Sequence, residues 1–205
     1  MRSARVALIW IVLAVAIGVP IALSLTSPLL EWRGPVYILA GLAGMIALGL
    51  ALVQPLLIAG YLPGLAGYRS RRVHHWIGGA LVVALLVHVG GLWITSPPDM
   101  IDALTYTSPT PFSPWGVTAM WAIFAVAGLA LLRRRLGLRM WRIAHMSLAV
   151  VIVAGSVVHV LLVEGTMETI SKAALCALVV AAAIKVIADV MQRKTRPMRS
   201  SSGGS

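Results

Sequence analysis

Charged side chains and cysteine are both scarce in this chain. Only 11% of the 205 residues are charged, whereas 60% are hydrophobic, and a water-soluble globular domain does not have that composition. The single cysteine, Cys176, has no partner for an intramolecular disulfide, and we expect it to be a small packing residue. The composition therefore predicts a membrane protein without internal disulfides.

Acidic residues are also few, six against 17 Lys and Arg, which gives a net charge of +11. In a soluble chain that excess would suggest nucleic acid, but in a membrane protein the positions of the basic residues indicate topology. Basic residues occupy alternate gaps between the hydrophobic runs, and acidic residues, with Arg33, occupy the other gaps. The positive-inside rule therefore places the basic gaps and both termini in the cytoplasm, in a cell inner or plasma membrane, and we expect no nucleic-acid partner.

Six hydrophobic runs are long enough to cross a bilayer as helices, which takes about 20 residues. The runs cover about residues 6–26, 35–59, 75–95, 116–132, 142–163 and 168–191. The first run is longer than the apolar part of a signal peptide, so we expect it to be retained. The sequence predicts an all-α integral membrane protein, with a six-helix transmembrane bundle over residues 1–192. A basic and then Ser/Gly-rich cytoplasmic tail, residues 193–205, is expected to be disordered.

All five histidines fall on two of these helices, with His74, His75 and His88 on the third and His145 and His159 on the fifth. Ionisable residues at membrane depth are costly and usually mark a functional site. A separation of 14 residues leaves a remainder of about 40° around an α-helix, whereas 13 leaves about 140°. Because His74 and His88 are 14 apart, as are His145 and His159, each pair shares one helix face. The spacing favours His74 over His75.

The third and fifth predicted helices run in the same direction, so their histidines match in depth. Each pair spans about 21 Å along its helix, which places His74 and His145 near the cytoplasmic boundary and His88 and His159 near the external one. Two facing imidazoles at one level provide the axial ligands of a six-coordinate haem iron. No C-x-x-C-H motif for covalent haem attachment occurs. Structural histidines, a proton relay and a zinc site completed by water stay open as alternatives.

Two segments carry a family resemblance. RRVHHWIG contains His74, with His88 fourteen residues on, and WRIAH ends at His145, with His159 fourteen residues on. In these features the chain resembles the ferric reductase-like transmembrane domain family, which includes the membrane domains of NADPH oxidases and the haem-binding membrane subunit of methionine sulfoxide reductase systems. The resemblance extends over essentially all six helices. It implies that His74 and His145 ligate one b-type haem and that His88 and His159 ligate a second, with His75 as an alternative to His74 if the helix is locally distorted.

The resemblance also implies electron transfer from the cytoplasm to the outside, which would make the chain a membrane subunit of an oxidoreductase. No G-x-G-x-x-G or other dinucleotide fingerprint occurs. The expected donor is therefore a separate cytoplasmic flavin or NAD(P)H reductase, a loosely bound flavin, or membrane quinol. Ferric ion, oxygen or an external partner protein is the expected acceptor. Arg72 and Arg142 are candidate partners for haem propionates.

Two other classes of function stay open at this point. In one, the histidines line a proton or metal path in a small transporter. In the other, the chain is a membrane anchor that docks a soluble reductase. On the sixth helix, Lys172 and Lys185 are long enough to reach toward opposite membrane faces, and Lys185 is expected to pair with Asp189 four residues on. Four tryptophans at predicted membrane boundaries are interpreted as interface anchors: Trp76, Trp93, Trp115 and Trp141.

Overall fold

The computed structural model describes residues 2–195, which form seven α-helices. Their bounds are α1 Arg2–Leu25, α2 Pro35–Ala59, α3 Tyr68–Thr95, α4 Pro97–Leu104, α5 Ser113–Leu131, α6 Leu138–Leu162 and α7 Thr169–Thr195. All except the short α4 are long and apolar enough to cross a membrane, and no strand occurs among the described residues. These findings confirm the predicted all-α fold with six membrane spans. The tail predicted for residues 193–205 lies outside the described residues from position 196 onward.

Several helices begin before the apolar runs that predicted them, among them the two that carry the histidines. The third span, α3, begins at Tyr68 and the fifth, α6, begins at Leu138. An apolar run marks the part of a helix that lies in hydrocarbon, whereas the backbone hydrogen bonds continue into the polar interface. The extensions carry basic residues, and they place both His74 and His145 inside regular helix rather than at a frayed end.

Proline and glycine set the two ends of α2. Pro35 occupies the first turn, where a missing N–H costs nothing because that group has no helical partner. Gly60 follows the last turn with a φ of 77°, and its N–H donates to the carbonyls of Leu56 and Leu57. That left-handed conformation suits glycine and turns the chain sharply toward α3.

The six spans pack as two tight hairpins with α1 and α7 beside them. The α2 helix packs most extensively on α3, and α5 packs on α6, whereas α3 and α6 make few backbone contacts with each other. One buried cluster joins α2 and α7, with Leu52 and Cys176 among its members. A second joins α3 and α5, with Leu85 and Met120 among its members. The two histidine-bearing helices are therefore each held mainly by other neighbours.

Charge separates the two ends of the bundle. We call one the basic end, defined by arginines in and beside its loops: Arg69, Arg71, Arg72, Arg133, Arg134, Arg135, Arg139 and Arg142. We call the opposite one the acidic end, defined by its five carboxylates: Glu31, Asp99, Asp102, Glu164 and Glu168.

Two lysine side chains form polar contacts near the two ends of α7. Toward the basic end, Lys185 forms the predicted ion pair with Asp189 at 2.6 Å and donates to the Tyr61 hydroxyl at 2.7 Å. Toward the acidic end, Lys172 is buried, and its Nζ donates to the carbonyl of Val163 at 2.9 Å. The two lysines thus point toward opposite ends, as their length allows.

Candidate functional site

Near the basic end, His74 of α3 faces His145 of α6. Their ring centres are 6.3 Å apart, and the ring planes meet at 62°. Both side chains are half-buried. Two metal–nitrogen bonds of about 2 Å, added to the radii of two imidazole rings, require ring centres about 6 Å apart. The spacing therefore fits one metal ion between the two rings.

The neighbouring histidine lies on a different face of the same helix. His75 is exposed, whereas His74 makes the ring contact with His145. The α3 helix runs without interruption from Tyr68 to Thr95, so the distortion that would turn His75 inward is absent. This placement agrees with the 14-residue spacing, which favours His74.

Buried polar atoms without a partner gather around this pair. Among the side chains that the structure describes, those of residues 3–192, they are Gln54 Oε1, His74 Nδ1, Trp141 Nε1 and His145 Nδ1. Gln54 is tied to the site because its Nε2 donates to the His74 carbonyl at 3.3 Å. Buried polar groups are nearly always hydrogen-bonded, so a cluster of exceptions calls for a functional explanation. The described side chains leave the hydrogen-bonding capacity of these four buried atoms unused, as is typical of a site that is built around a ligand.

Trp141 belongs to this site, although the sequence interpretation made it an interface anchor. Its ring stacks on the His145 ring, with centres 5.1 Å apart and planes 16° apart. By contrast, Trp76 is 72% exposed. The signal was present in the sequence, because residues four apart lie on the same helix face. On the same indole, Arg133 places its Cζ 5.0 Å from the ring centre.

Near the acidic end, His88 and His159 are each bonded to a backbone carbonyl. His88 Nδ1 lies 2.8 Å from the Ala40 oxygen, and His159 Nδ1 lies 3.0 Å from the Phe112 oxygen. A carbonyl oxygen only accepts, so each Nδ1 must carry the proton and donate it, which leaves the lone pair on Nε2. Histidines that ligate metals are commonly oriented by such a bond from the other ring nitrogen.

A glycine lies beside each of these two histidine–carbonyl hydrogen bonds. We call each set of histidine, carbonyl and glycine a socket. Gly44 and Gly116 each lie four residues after the accepting carbonyl, and a Cβ there would lie only 2.8 Å and 2.5 Å, respectively, from the Nδ1 of the bonded histidine. In a helix the carbonyl of residue i already accepts from the N–H of residue i+4, as the Phe112 oxygen does from Gly116 at 3.2 Å. Its second lone pair stays free for a histidine only where no side chain at i+4 covers it. Glycine at these positions therefore makes the bond possible.

The two arginines that the sequence suggested as partners of haem propionates take no part in the hydrogen bonds and ring contacts that the structure describes at the histidine sites. Arg72 and Arg142 are exposed, and neither side chain forms an ion pair or a hydrogen bond with another residue in the part of the chain that the structure describes. Their role stays a prediction.

The ligand set favours a haem iron over a bare metal ion. No group of three or more His, Cys, Asp or Glu that could hold a metal occurs within residues 2–195. A protein zinc site ordinarily has at least three such ligands. A pair of histidines instead suits an iron whose other four ligands are porphyrin nitrogens. The four histidines, their spacing and the two glycine sockets fit haem.

A family model decides the identity. The ferric reductase like transmembrane component model matches residues 40–156, which is more than half of the 205-residue chain. The chain belongs to this family. Comparison with curated proteins gives no match, and neither does comparison with solved structures.

The ferric reductase-like match runs from α2 into the last turns of α6. It includes His74, His88 and His145, and it ends three residues before His159. The resemblance found in the histidine spacing is confirmed at the level of the family. A ferric reductase-like transmembrane domain indicates transmembrane electron transfer in general.

Proposed function

We propose that the chain carries single electrons across the membrane by means of two b-type haems. The residues that would hold them are His74 and His145 at the basic end, and His88 and His159 at the acidic end. The observation that carries the proposal is the His74–His145 pair, whose ring centres are 6.3 Å apart on two helices that otherwise barely touch. When bound, haem supplies the one-electron carrier, while the protein supplies ligation, spacing and dry surroundings.

The chain's own groups perform different tasks at the two levels. At the acidic end, the carbonyls of Ala40 and Phe112 fix the tautomer of the histidines and raise the basicity of their free nitrogens. At the basic end, Trp141 covers one face of His145, and Gln54 bonds to the backbone at His74. The two levels are 14 residues apart on each helix, or about 21 Å, so they lie near opposite membrane faces.

The charge distribution supports a direction for the electrons. By the positive-inside rule the basic end faces the cytoplasm of an inner or plasma membrane. Electrons would then enter from a cytoplasmic flavin or NAD(P)H reductase, a loosely bound flavin, or membrane quinol. They would leave to ferric ion, oxygen or an external partner protein. In this proposal the chain is the membrane subunit of an oxidoreductase.

The test is a reduced-minus-oxidised absorption spectrum of the purified protein, with haem counted by the pyridine haemochrome method. We expect about two b-type haems per chain. His88→Ala and His159→Ala should each lose one haem and keep the other, and His75→Ala is the matched control that keeps both. Absence of haem after expression with ample haem supply would overturn the proposal and favour transport or packing roles for the histidines. Retention of both haems in His88→Ala or His159→Ala would overturn the ligand assignment.

A further inference from the structure

A cavity of about 140 Å³ opens at the basic end, where the chain passes from α5 to α6. Its lining residues are Arg133, Arg134, Leu136, Leu138 and Trp141. The chain forms a short 3₁₀ turn over Arg133–Arg135, and Gly137 immediately precedes the first residue of α6. Two arginines and the first turn of a membrane-spanning helix therefore surround one space.

Among the described residues, no carboxylate neutralises the positive charge of this cavity. The first turn of α6 contains no acidic residue, and Gly137 has no side chain with which to cap the helix. In the part of the chain that the structure describes, Lys185 with Asp189 is the one salt bridge, so neither Arg133 nor Arg134 has a carboxylate partner. Guanidinium groups and the N–H groups that begin a helix both favour phosphate oxygens. The cavity has the chemistry of a phosphate site.

One wall of the cavity connects it with the histidine pair. Trp141 lines the cavity, and its ring stacks directly on His145. Arg133 also lies against this indole. An anion bound here would change the local charge within one aromatic ring of a candidate iron ligand.

We propose that this cavity binds a phosphate group of a ligand and that binding alters the site at His145 through Trp141. The second half of the proposal rests on the proposed function, whereas the first half does not. The phosphate has two possible sources: the headgroup of a membrane lipid, or a soluble phosphate compound of the cytoplasm.

Calorimetric titration with inorganic pyrophosphate tests the binding, using full-length protein in an uncharged detergent after lipid removal. Arg133→Gln and Arg134→Gln should each weaken binding about tenfold or more, because each removes a charge-assisted hydrogen bond. The matched control is Arg71→Gln, an exposed arginine of the basic end that does not line the cavity, and it should leave the affinity unchanged. Equal weakening in all three variants would indicate general charge attraction and overturn the proposal, as would failure of the wild type to bind.

Nanodiscs separate the two sources of phosphate. If lipid headgroups occupy the cavity, the phosphodiester of phosphatidylcholine or of added phosphatidylglycerol competes, so nanodiscs weaken pyrophosphate binding relative to detergent. If a soluble compound is the natural ligand, binding persists in both kinds of nanodisc. Either result identifies the source of the phosphate, whereas failure of the lipid-free protein in detergent to bind pyrophosphate overturns the site.

The visible spectrum tests the coupling to His145 separately. Saturating pyrophosphate should shift the haem absorption of the wild type and leave that of Arg133→Gln, at the same concentration, less changed. A spectrum that does not respond, in protein that binds pyrophosphate, overturns the coupling. If the protein holds no haem, the proposed function fails, but calorimetry still decides whether the cavity binds phosphate.

Discussion

Replacing Gly116 by alanine puts a methyl group where the ring of His159 now lies. The new Cβ would be 2.5 Å from Nδ1 and 2.8 Å from Cε1 of that ring. Since ordinary contacts between such atoms begin at about 3.5 Å, the ring must retreat by about 1 Å. Metal sites tolerate deviations of only about 0.2 Å in ligand distance, so in this variant His159 would not hold a haem iron in the position that the proposed function requires.

The cost of this change has two parts. Overpacking a well-packed position costs about 1–3 kcal/mol, and loss of the bond from Nδ1 to the Phe112 carbonyl costs about 1 kcal/mol. A total of about 2–4 kcal/mol corresponds to a loss of roughly 30- to 700-fold in the affinity of the acidic-end site. Gly44→Ala should act in the same direction but less strongly, because its Cβ would lie 2.8 Å from the nearest ring atom of His88.

Haem counting and electron paramagnetic resonance of the oxidised protein provide the assay. We expect Gly116→Ala to lose one haem or to convert it from a low-spin to a high-spin signal. Gly128→Ala is the matched control on the same helix, because a Cβ there meets nothing within 4 Å and alanine favours helix by about 1 kcal/mol. Two unaltered low-spin signals in Gly116→Ala would refute the socket argument.

Two further predictions concern Trp141 and Glu168. Trp141→Phe keeps an aromatic ring on His145 and removes an indole N–H that is buried without a partner, so this variant should retain the full haem content. Trp141→Ala removes the ring and should lower the haem content of the basic-end site. Equal loss of haem in both variants would contradict the stacking role. The Glu168 carboxylate accepts the N–H groups of Ile170 and Ser171 at 2.8 and 2.7 Å, and these bonds hold its pKa below the ordinary value of 4.5. Because a depressed pKa contributes stability above the unfolded pKa and loses it as pH falls through the folded one, the protection factors of amides at the start of α7, taken relative to the intrinsic exchange rate at each pH, should fall below about pH 4.5 in the wild type. Glu168→Gln should lack this fall in protection, and identical protection profiles would contradict the capping argument.

The spans and the histidine faces could be predicted because both depend on residues within one helix. Hydrophobic length predicted the six membrane-spanning helices that the structure has. A 14-residue separation favoured His74 over His75, and the structure places the His74 ring beside that of His145; its role as a ligand stays a prediction. The carbonyl partners could not be predicted in the same way. Ala40 and Phe112 act through their backbone, which has no side-chain signature, and they lie 48 and 47 residues from the histidines they bind. The periodicity of one helix does not indicate which residues of a neighbouring helix lie beside it at the same level.

A glycine in the sequence of a membrane helix is weak evidence for a histidine site, because membrane helices commonly use glycine for close packing. Gly44 and Gly116 lie on the helices that neighbour the histidine-bearing ones, so spacing along a single helix does not relate them to a histidine. Trp141 lies near a predicted membrane boundary, which favours an interface anchor, and also four residues before His145, on the same helix face. The structure shows that its ring stacks on His145.

The two histidine levels differ in a way that bears on electron flow. Near the acidic end, each imidazole donates to a carbonyl, which makes it a more basic ligand and favours the oxidised iron. The carboxylates at that end favour the oxidised iron as well, whereas arginines at the basic end favour the reduced one. If haem binds as proposed, the acidic-end haem should have the lower potential, so the outward step between haems is uphill. Net flow would then depend on a strongly reducing donor and rapid removal of electrons by the acceptor. Potentiometric titration of His88→Ala, which keeps only the basic-end haem, assigns the two potentials, and a higher potential at the acidic end would contradict this reasoning.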